Sequence, residues 1–236
     1  MAIVLPQVAK LKGIALDLLF PKFCVGCGKE GDFLCPSCLE SLPFIMPPVC
    51  PRCGRPQAEG TLCPSCRQWP AEVDGIRSPF RFEGAIRQAI HEFKYHNLRA
   101  LANPLAQLLR DYLTNHPLPA DVLVPVPLHP KRLKERGYNQ SHQLAVALGN
   151  LINLPVVADC LRRRRHTPPQ ARTATAEERR HNTADAFACR DDRLRGKQVV
   201  LIDDVATSGA TLDACAAAVK AAGATSAWGL VMAREV

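Results

Sequence analysis

The sequence predicts an α/β protein, a mainly parallel sheet flanked by helices, with a small metal-dependent module in front of it. Three observations carry this. From about residue 71 onward, apolar runs alternate with segments of helical periodicity, the order that builds β–α units around a buried sheet. The apolar runs at 121–127 (D-V-L-V-P-V-P) and 198–203 (Q-V-V-L-I-D) are almost unbroken, as suits strands covered on both faces. Eight of the eleven cysteines lie in four Cys-x-x-Cys pairs between residues 24 and 66.

Taken in order, residues 1–20 are apolar but interrupted by Pro6, Lys10, Lys12 and Asp17. Leu5, Val8, Leu11, Ala15, Leu18 and Leu19 recur near helical spacing, so a short amphipathic helix is expected there, packed on the protein itself. A helix lying on a membrane surface is the alternative. The leading end lacks the basic residues and cleavage pattern of a signal peptide. No run of about 18 apolar residues exists to span a membrane. A cytoplasmic protein is the expectation.

The four pairs, Cys24/Cys27, Cys35/Cys38, Cys50/Cys53 and Cys63/Cys66, define a module over 21–70. Two-residue spacing lets both sulfurs of a tight turn face one ion, and Gly28 and Gly54 supply the positive φ such turns need. Two pairs complete a tetrahedral four-sulfur zinc site. A thioredoxin-like motif explains one pair but not four; iron–sulfur ligation is the other metal reading. Sequential pairing closes shorter loops than crossed pairing and costs less chain entropy. Two structural zinc ions are therefore expected, because some fifty proline-rich residues cannot form a stable core unaided. A ribbon that grips nucleic acid or a partner protein is the functional alternative. Cys160, Cys189 and Cys215 are isolated and read as inert thiols.

The second domain is expected over 71–236. Residues 76–82 read as an edge strand restricted by Pro79, and 84–95 and 100–114 as helices. A strand at 121–127, a helix at 139–152 and a weak strand at 155–161 follow. Residues 162–195 lack periodicity and hold ten arginines against five acids, a local concentration of the chain's net charge of +8. A strand at 198–203, a helix at 209–222 and a strand at 224–233 complete the order. A basic excess favours phosphorylated or polyanionic partners and says nothing of fold.

In such sheets ligands bind beyond the carboxyl ends of the strands. After Ile202 the text reads D-D-V-A-T-S-G-A-T-L. Backbone N–H groups of a small, hydroxyl-rich turn, followed at once by a helix N-terminus, can hold one phosphate. Gly209 permits close approach, and Asp203 and Asp204 are placed to accept from sugar hydroxyls. A capped helix after a core strand is the plainer explanation of the same residues. A Walker loop is excluded because no Lys follows; a dinucleotide fingerprint is excluded because Gly209 stands alone.

This signature resembles the ribose-phosphate loop of type I phosphoribosyltransferases. The resemblance implies that Asp203 and Asp204 hold ribose, and that Ala206, Thr207, Ser208, Gly209, Ala210 and Thr211 cradle the 5′-phosphate of 5-phosphoribosyl-1-pyrophosphate. P-V-P-L-H-P-K-R-L-K-E-R-G-Y-N-Q at 125–140, the stretch from Arg165 to Phe187 and the four cysteine pairs are similar, in the same order, to the competence-protein ComF/GntX family. That family likeness implies a double zinc ribbon ahead of a type I phosphoribosyltransferase-like domain. It also makes Arg132 and Arg136 the pyrophosphate side, with Mg²⁺ accompanying the ligand. Arg165, Thr167, Gln170, Arg179 and Asn182 would be contacts of a flexible loop closing over it. His129 reads as a structural residue or ligand contact, Asn139 as a helix cap, and Phe93, Lys94 and Tyr95 as candidates for an acceptor-binding hood. The family's association with DNA uptake or utilisation leaves a rival open. In it a non-catalytic protein handles single-stranded DNA or meets competence-machinery proteins, contacting phosphates without reading sequence.

Overall fold

The computed structural model describes residues 21–164 and 186–236. The helix expected over 1–20, and the loop positions Arg165, Thr167, Gln170, Arg179 and Asn182, lie outside the described residues.

The cysteine module uses one local device twice. A tight turn from Cys24 returns Gly28 N–H to the Cys24 carbonyl at 2.7 Å, and Gly54 N–H returns to Cys50 at 2.9 Å. Both glycines have positive φ, 76° and 71°. The second half of each unit is a short helix begun by a proline, α1 (Pro36–Glu40) and α2 (Pro64–Arg67), with Cys35 and Cys63 as the N-caps. Proline costs nothing at that position because its missing N–H would be unpaired anyway.

Beyond the module come β1 (Gly75–Arg77), β2 (Phe80–Arg81), α3 (Gly84–Tyr95), a 3₁₀ turn at Arg99–Leu101 and α4 (Ala102–Asn115). Next are β3 (Val122–Pro125), α5 (Pro130–Arg136), α6 (Gln140–Ile152), β4 (Leu161–Arg163) and β5 (Phe187–Cys189). The chain closes with β6 (Gln198–Ala206), α7 (Ala210–Ala221) and β7 (Ser226–Arg234). The main sheet has the order β1–β7–β6–β3, with β2 also on β7, and every pairing is parallel. β1 and β2 are one edge strand in two pieces. Gly75 faces Trp228 and Phe80 faces Ala233 without a change of register, so Pro79 removes pairing locally and shifts nothing.

Alternation along β6 explains its unbroken apolar text. Val199 and Leu201 join one core with Leu212, Cys215 and Val219 of α7. Val200 and Ile202 join the other with α3, α4 and α6. α3 buries Ile86, Ala89, Ile90 and Phe93, and α4 buries Ala102, Leu105, Ala106 and Leu109, each a single helical stripe. The fold class is thus the expected one: a mainly parallel sheet with helices on both faces and an N-terminal four-cysteine module.

Two expectations need correction. The strand expected over 155–161 is absent up to residue 160 apart from one bridge, Leu123 to Val156, and only its last residue, Leu161, enters a strand; Gly149 packs so tightly there that an added Cβ would meet Val156 Cγ2 at 2.7 Å. The stretch read as irregular over 162–195 contains strand structure, with β4 and β5 pairing antiparallel from Leu161–Cys189 to Arg163–Phe187. The arginine run masks any period there. One further helix, α5 (Pro130–Arg136), lies in the basic segment between the strand expected at 121–127 and the helix expected at 139–152, where the sequence predicts no element. His129 Nδ1 accepts from Lys131 N–H at its start, and Gly137 at φ 79° ends it.

Candidate functional site

The structure gathers the cysteines sequentially: Cys24, Cys27, Cys35 and Cys38 in one group, Cys50, Cys53, Cys63 and Cys66 in the other, with each group's sulfurs within 4.8 Å of one another. Zn–S bonds of about 2.3 Å at tetrahedral angles require sulfurs about 3.8 Å apart. Cys27 and Cys35 are 3.6 Å apart, and Cys53 and Cys63 are 3.8 Å apart. Backbone N–H groups of Cys35 and Cys63 point at Cys24 Sγ and Cys50 Sγ, at 3.4 and 3.5 Å. Burial pushes the Cys50 thiol up, but the amides of Cys53, Cys63 and Arg52 outweigh it and hold it at about 6. The donor set fits zinc in both groups. Their surroundings differ: the first is a small cluster of its own with Cys27 exposed, whereas the second is continuous with the core behind β6.

At the carboxyl edge of the sheet, β3 and β6 deliver their loops side by side. Asp204 is buried at the end of β6 and is held by protein groups: the Lys94 ammonium pairs with Oδ1, and Gln140 Nε2 donates to Oδ2 at 2.6 Å. Asp203 Oδ1 accepts from Ser141 Oγ at 2.8 Å and from Asp204 N–H at 2.9 Å. Helix α6 supplies both Gln140 and Ser141, and Asn139 caps it by accepting from Ser141 N–H. Asn139 Nδ2 also donates to the Val126 carbonyl, tying the cap to the end of β3.

Arg136 donates to Gln140 Oε1 and lies 5.2 Å over the Tyr95 ring. Arg132 and Arg136 line a cavity of about 580 Å³ together with Lys94, Tyr95, Asn97 and Glu135. Lys94 is the link, a cavity wall at one end and the partner of Asp204 at the other. Of the hood candidates, Phe93 is a core residue and Tyr95 is exposed. The Tyr138 phenol donates to the Phe93 carbonyl and fixes the α5–α6 corner to α3.

Burial, and then the Asp204 carboxylate, push the Asp203 carboxyl up to about 7. An unfolded Asp titrates near 4. Between these values the folded chain keeps a proton that the unfolded chain has lost, so stability falls as pH rises from about 4 to about 7 and levels above that. Asp203→Asn keeps the Oδ1 acceptor and removes the charge. We expect a flatter profile of Tm between pH 5 and 8 and a higher Tm at pH 8; an unchanged slope would refute the assignment.

After Ala206 the chain turns through Thr207, Ser208 and Gly209 into α7. Gly209 sits at φ 83°, where a side chain is strained, and a Cβ there would push on Ile76 Cδ1 at 2.8 Å, so the tight turn favours glycine. Ser208 and Ala210 are buried, Thr207 and Thr211 partly exposed. The Thr207 carbonyl accepts from Arg55 Nη2 and Arg234 Nη2, both at 3.3 Å. These arginines, Ser141 and the role of Lys94 on Asp204 escape a reading of the sequence. Arg55 lies 152 residues from its partner, and only the edge-strand pairing brings them together. The one local signal was Arg234, a charge ending an apolar strand.

A double zinc ribbon domain matches residues 15–67. Competence protein F of Haemophilus influenzae is 30% identical over 204 residues, 80% of this chain and 87% of that protein. Competence protein ComFC of Bacillus subtilis is 29% identical over 191 residues, 78% of this chain and 76% of that protein. The DNA utilization protein YhgH of Salmonella typhi is 30% identical over 171 residues, 70% and 74% respectively. Among solved structures, the glutamine phosphoribosylpyrophosphate amidotransferase of B. subtilis, complexed with ADP and GMP, is 18% identical with a TM-score of 0.41. That match covers 59% of this chain and only 30% of the amidotransferase. A purine phosphoribosyltransferase from Pyrococcus horikoshii is 22% identical with a TM-score of 0.32, over 56% of this chain and 69% of that one. With a cysteine module and α/β domain in the expected order, and such identity over most of the length of its relatives, the chain belongs to the ComF/GntX family of competence and DNA-utilisation proteins.

Proposed function

We propose that the chain binds 5-phosphoribosyl-1-pyrophosphate at the carboxyl edge of the sheet, as a phosphoribosyltransferase-like protein serving DNA uptake or utilisation. The observation that carries this is one continuous site: buried Asp204, the Lys94 ammonium on it, and a cavity lined by Lys94, Arg132 and Arg136. Asp203 and Asp204 take the ribose hydroxyls, exchanging present partners for ligand ones. Residues 206–211 hold the 5′-phosphate through backbone amides, with the hydroxyls of Thr207 and Thr211 beside them. Arg132, Arg136 and a displaced Lys94 meet the diphosphate. The two acids are already engaged, so they form no ready cation site; Mg²⁺ fits only as an ion carried on the ligand's own oxygens, where it would neutralise diphosphate charge. The chain's residues then position the anomeric carbon and stabilise charge on departing pyrophosphate, without a covalent protein nucleophile.

A second reading, a non-catalytic protein handling single-stranded DNA, draws on the names of the relatives and on the arginines from Arg162 onward. Calorimetric titration with phosphoribosyl pyrophosphate and Mg²⁺, followed by a screen of nucleobases for pyrophosphate release, separates the two. Saturable ligand binding with release supports the enzyme. Absence of ligand binding, with DNA affinity that falls steeply with salt, supports the alternative.

A further inference from the structure

The two arginines behind the phosphate loop carry a requirement of their own. Arg234 has no solvent exposure. Its Nε and Nη1 and the Nε of Arg55 are buried with no hydrogen-bond partner among the described residues. Buried guanidinium groups without an anion are strongly unfavourable, and Arg55 and Arg234 also repel one another. Among the described residues, no carboxylate pairs with either of them. The groups of opposite sign that act most on Arg234 are the cysteines of the second centre, Cys53 first, then Cys66 and Cys63. Four thiolates around one zinc form a dianion, which also needs a counter-charge when buried. The first centre meets this need through solvent at exposed Cys27. The second is enclosed by Arg52, which donates to the carbonyls of Cys66 and Trp69, by Arg77, which donates to the Pro51 carbonyl, and by Arg55 and Arg234.

The other end of each arginine reaches the loop. With Nη2 of both on the Thr207 carbonyl, a planar trans peptide turns the Ser208 N–H the opposite way. The second centre also bears on the loop by packing, since a Cβ on Gly209 would lie 3.5 Å from Trp69. The linker beyond it is tied to the first turn of α7, where Asp213 Oδ1 accepts from Glu72 and Val73 N–H at 2.7 and 3.0 Å.

We propose that Arg234 is the buried counter-cation of the second four-cysteine centre and, with Arg55, a positioning residue for the phosphate loop, so that occupancy of this metal site sets the loop's affinity for a phosphate monoester. The part concerning the loop rests on the ligand reading above; the part concerning the metal does not. The link makes the second zinc more than a fold staple, because losing it frees two guanidinium groups to leave the Thr207 carbonyl and the peptide behind it to rotate.

The test uses the full chain loaded with cadmium, so that cadmium NMR gives each centre its own resonance during titration with a competing chelator. Arg234→Met should weaken cadmium binding at the second centre about tenfold and leave the first unchanged, the scale of one lost charge-assisted contact. Arg234→Lys, which restores the charge, should recover most of that loss. In the zinc-loaded protein, Arg55→Gln, a half-buried change that keeps a donor but loses the charge, should weaken phosphoribosyl-pyrophosphate binding severalfold. An unaltered second-centre affinity in Arg234→Met overturns the counter-cation role. If Arg234→Met does not fold, the Lys variant decides: wild-type affinity upholds the role, and a loss equal at both centres overturns it. Unchanged ligand affinity in Arg55→Gln overturns the link to the loop. Should the wild-type protein bind no phosphoribosyl pyrophosphate, the ligand reading fails, and the cadmium affinities still decide the role of Arg234.

Discussion

Asp204→Asn is expected to weaken phosphoribosyl-pyrophosphate binding by about 100-fold and to lower the Tm of the free protein by about 6–12 °C. Both effects follow from one carboxylate, which accepts from the ribose hydroxyls in the complex and pairs with Lys94 in the free protein. Asp204 is 4% exposed and pairs with Lys94. Burial pulls the Lys94 ammonium down, yet the carboxylates, Asp204 before Asp203, more than compensate and hold it above its usual value. Neutralising Asp204 leaves that ammonium without its closest anion at a cost of about 3 kcal/mol, and each kcal/mol is worth about 2–4 °C in a chain of this size. Lys94→Met alone should be comparably destabilising, because it strands the carboxylate instead. The double variant should recover part of the loss, a coupling that thermal melts of the four proteins measure directly. Additive losses would mean that the pair contributes nothing.

Zinc removal has the second large expected effect, and the two centres should differ. Cys50, Cys53, Cys63 and Cys66 share a core with Trp69, Val73 and Ile76, and Ile76 belongs to the edge strand β1. Losing that metal exposes the flank of the sheet and of the phosphate loop. The first centre's cysteines form a cluster packed on Ala85 and stay outside the core that their neighbours Leu34 and Leu42 join. Cys53→Ser is therefore expected to lower global stability by about 3–5 kcal/mol or to prevent folding, whereas Cys35→Ser loosens the first ribbon with the sheet left intact. Hydrogen exchange of the β6 and β7 amides tests this. Protection lost in Cys53→Ser and retained in Cys35→Ser is the expected pattern, and equal loss in both would refute it.

Much of this was legible in the sequence because the strongest signals are local. Four cysteine pairs declare two metal centres by spacing alone. The run V-V-L-I-D-D declares a buried strand whose far end turns polar, and the stripes of α3 and α4 were visible at 84–95 and 100–114. What stayed hidden depends on contacts distant in sequence. α5 lies in K-R-L-K-E-R, where charge hides a helix that only His129, Pro130 and Gly137 delimit. β4 and β5 are three residues each and are defined by each other. The guanidinium pair on Thr207 exists because β1 and β2 bind β7 beside the end of β6, a topology no periodicity reveals. Lys94 reads as a hood candidate on an amphipathic helix, and its pairing with Asp204 emerges only when α3 lies across the strand ends.

The central claim is that the ends of β3 and β6 form a site for activated ribose, in which Lys94 exchanges one anion for another. A crystal structure of the full chain with phosphoribosyl pyrophosphate and Mg²⁺ tests it most directly. The expected result is the 5′-phosphate on the amides of residues 206–211, ribose hydroxyls on Asp203 and Asp204, and the Lys94 ammonium moved from Asp204 towards the diphosphate beside Arg132 and Arg136. Ligand bound elsewhere, with Lys94 still on Asp204 and the loop bare, would contradict it.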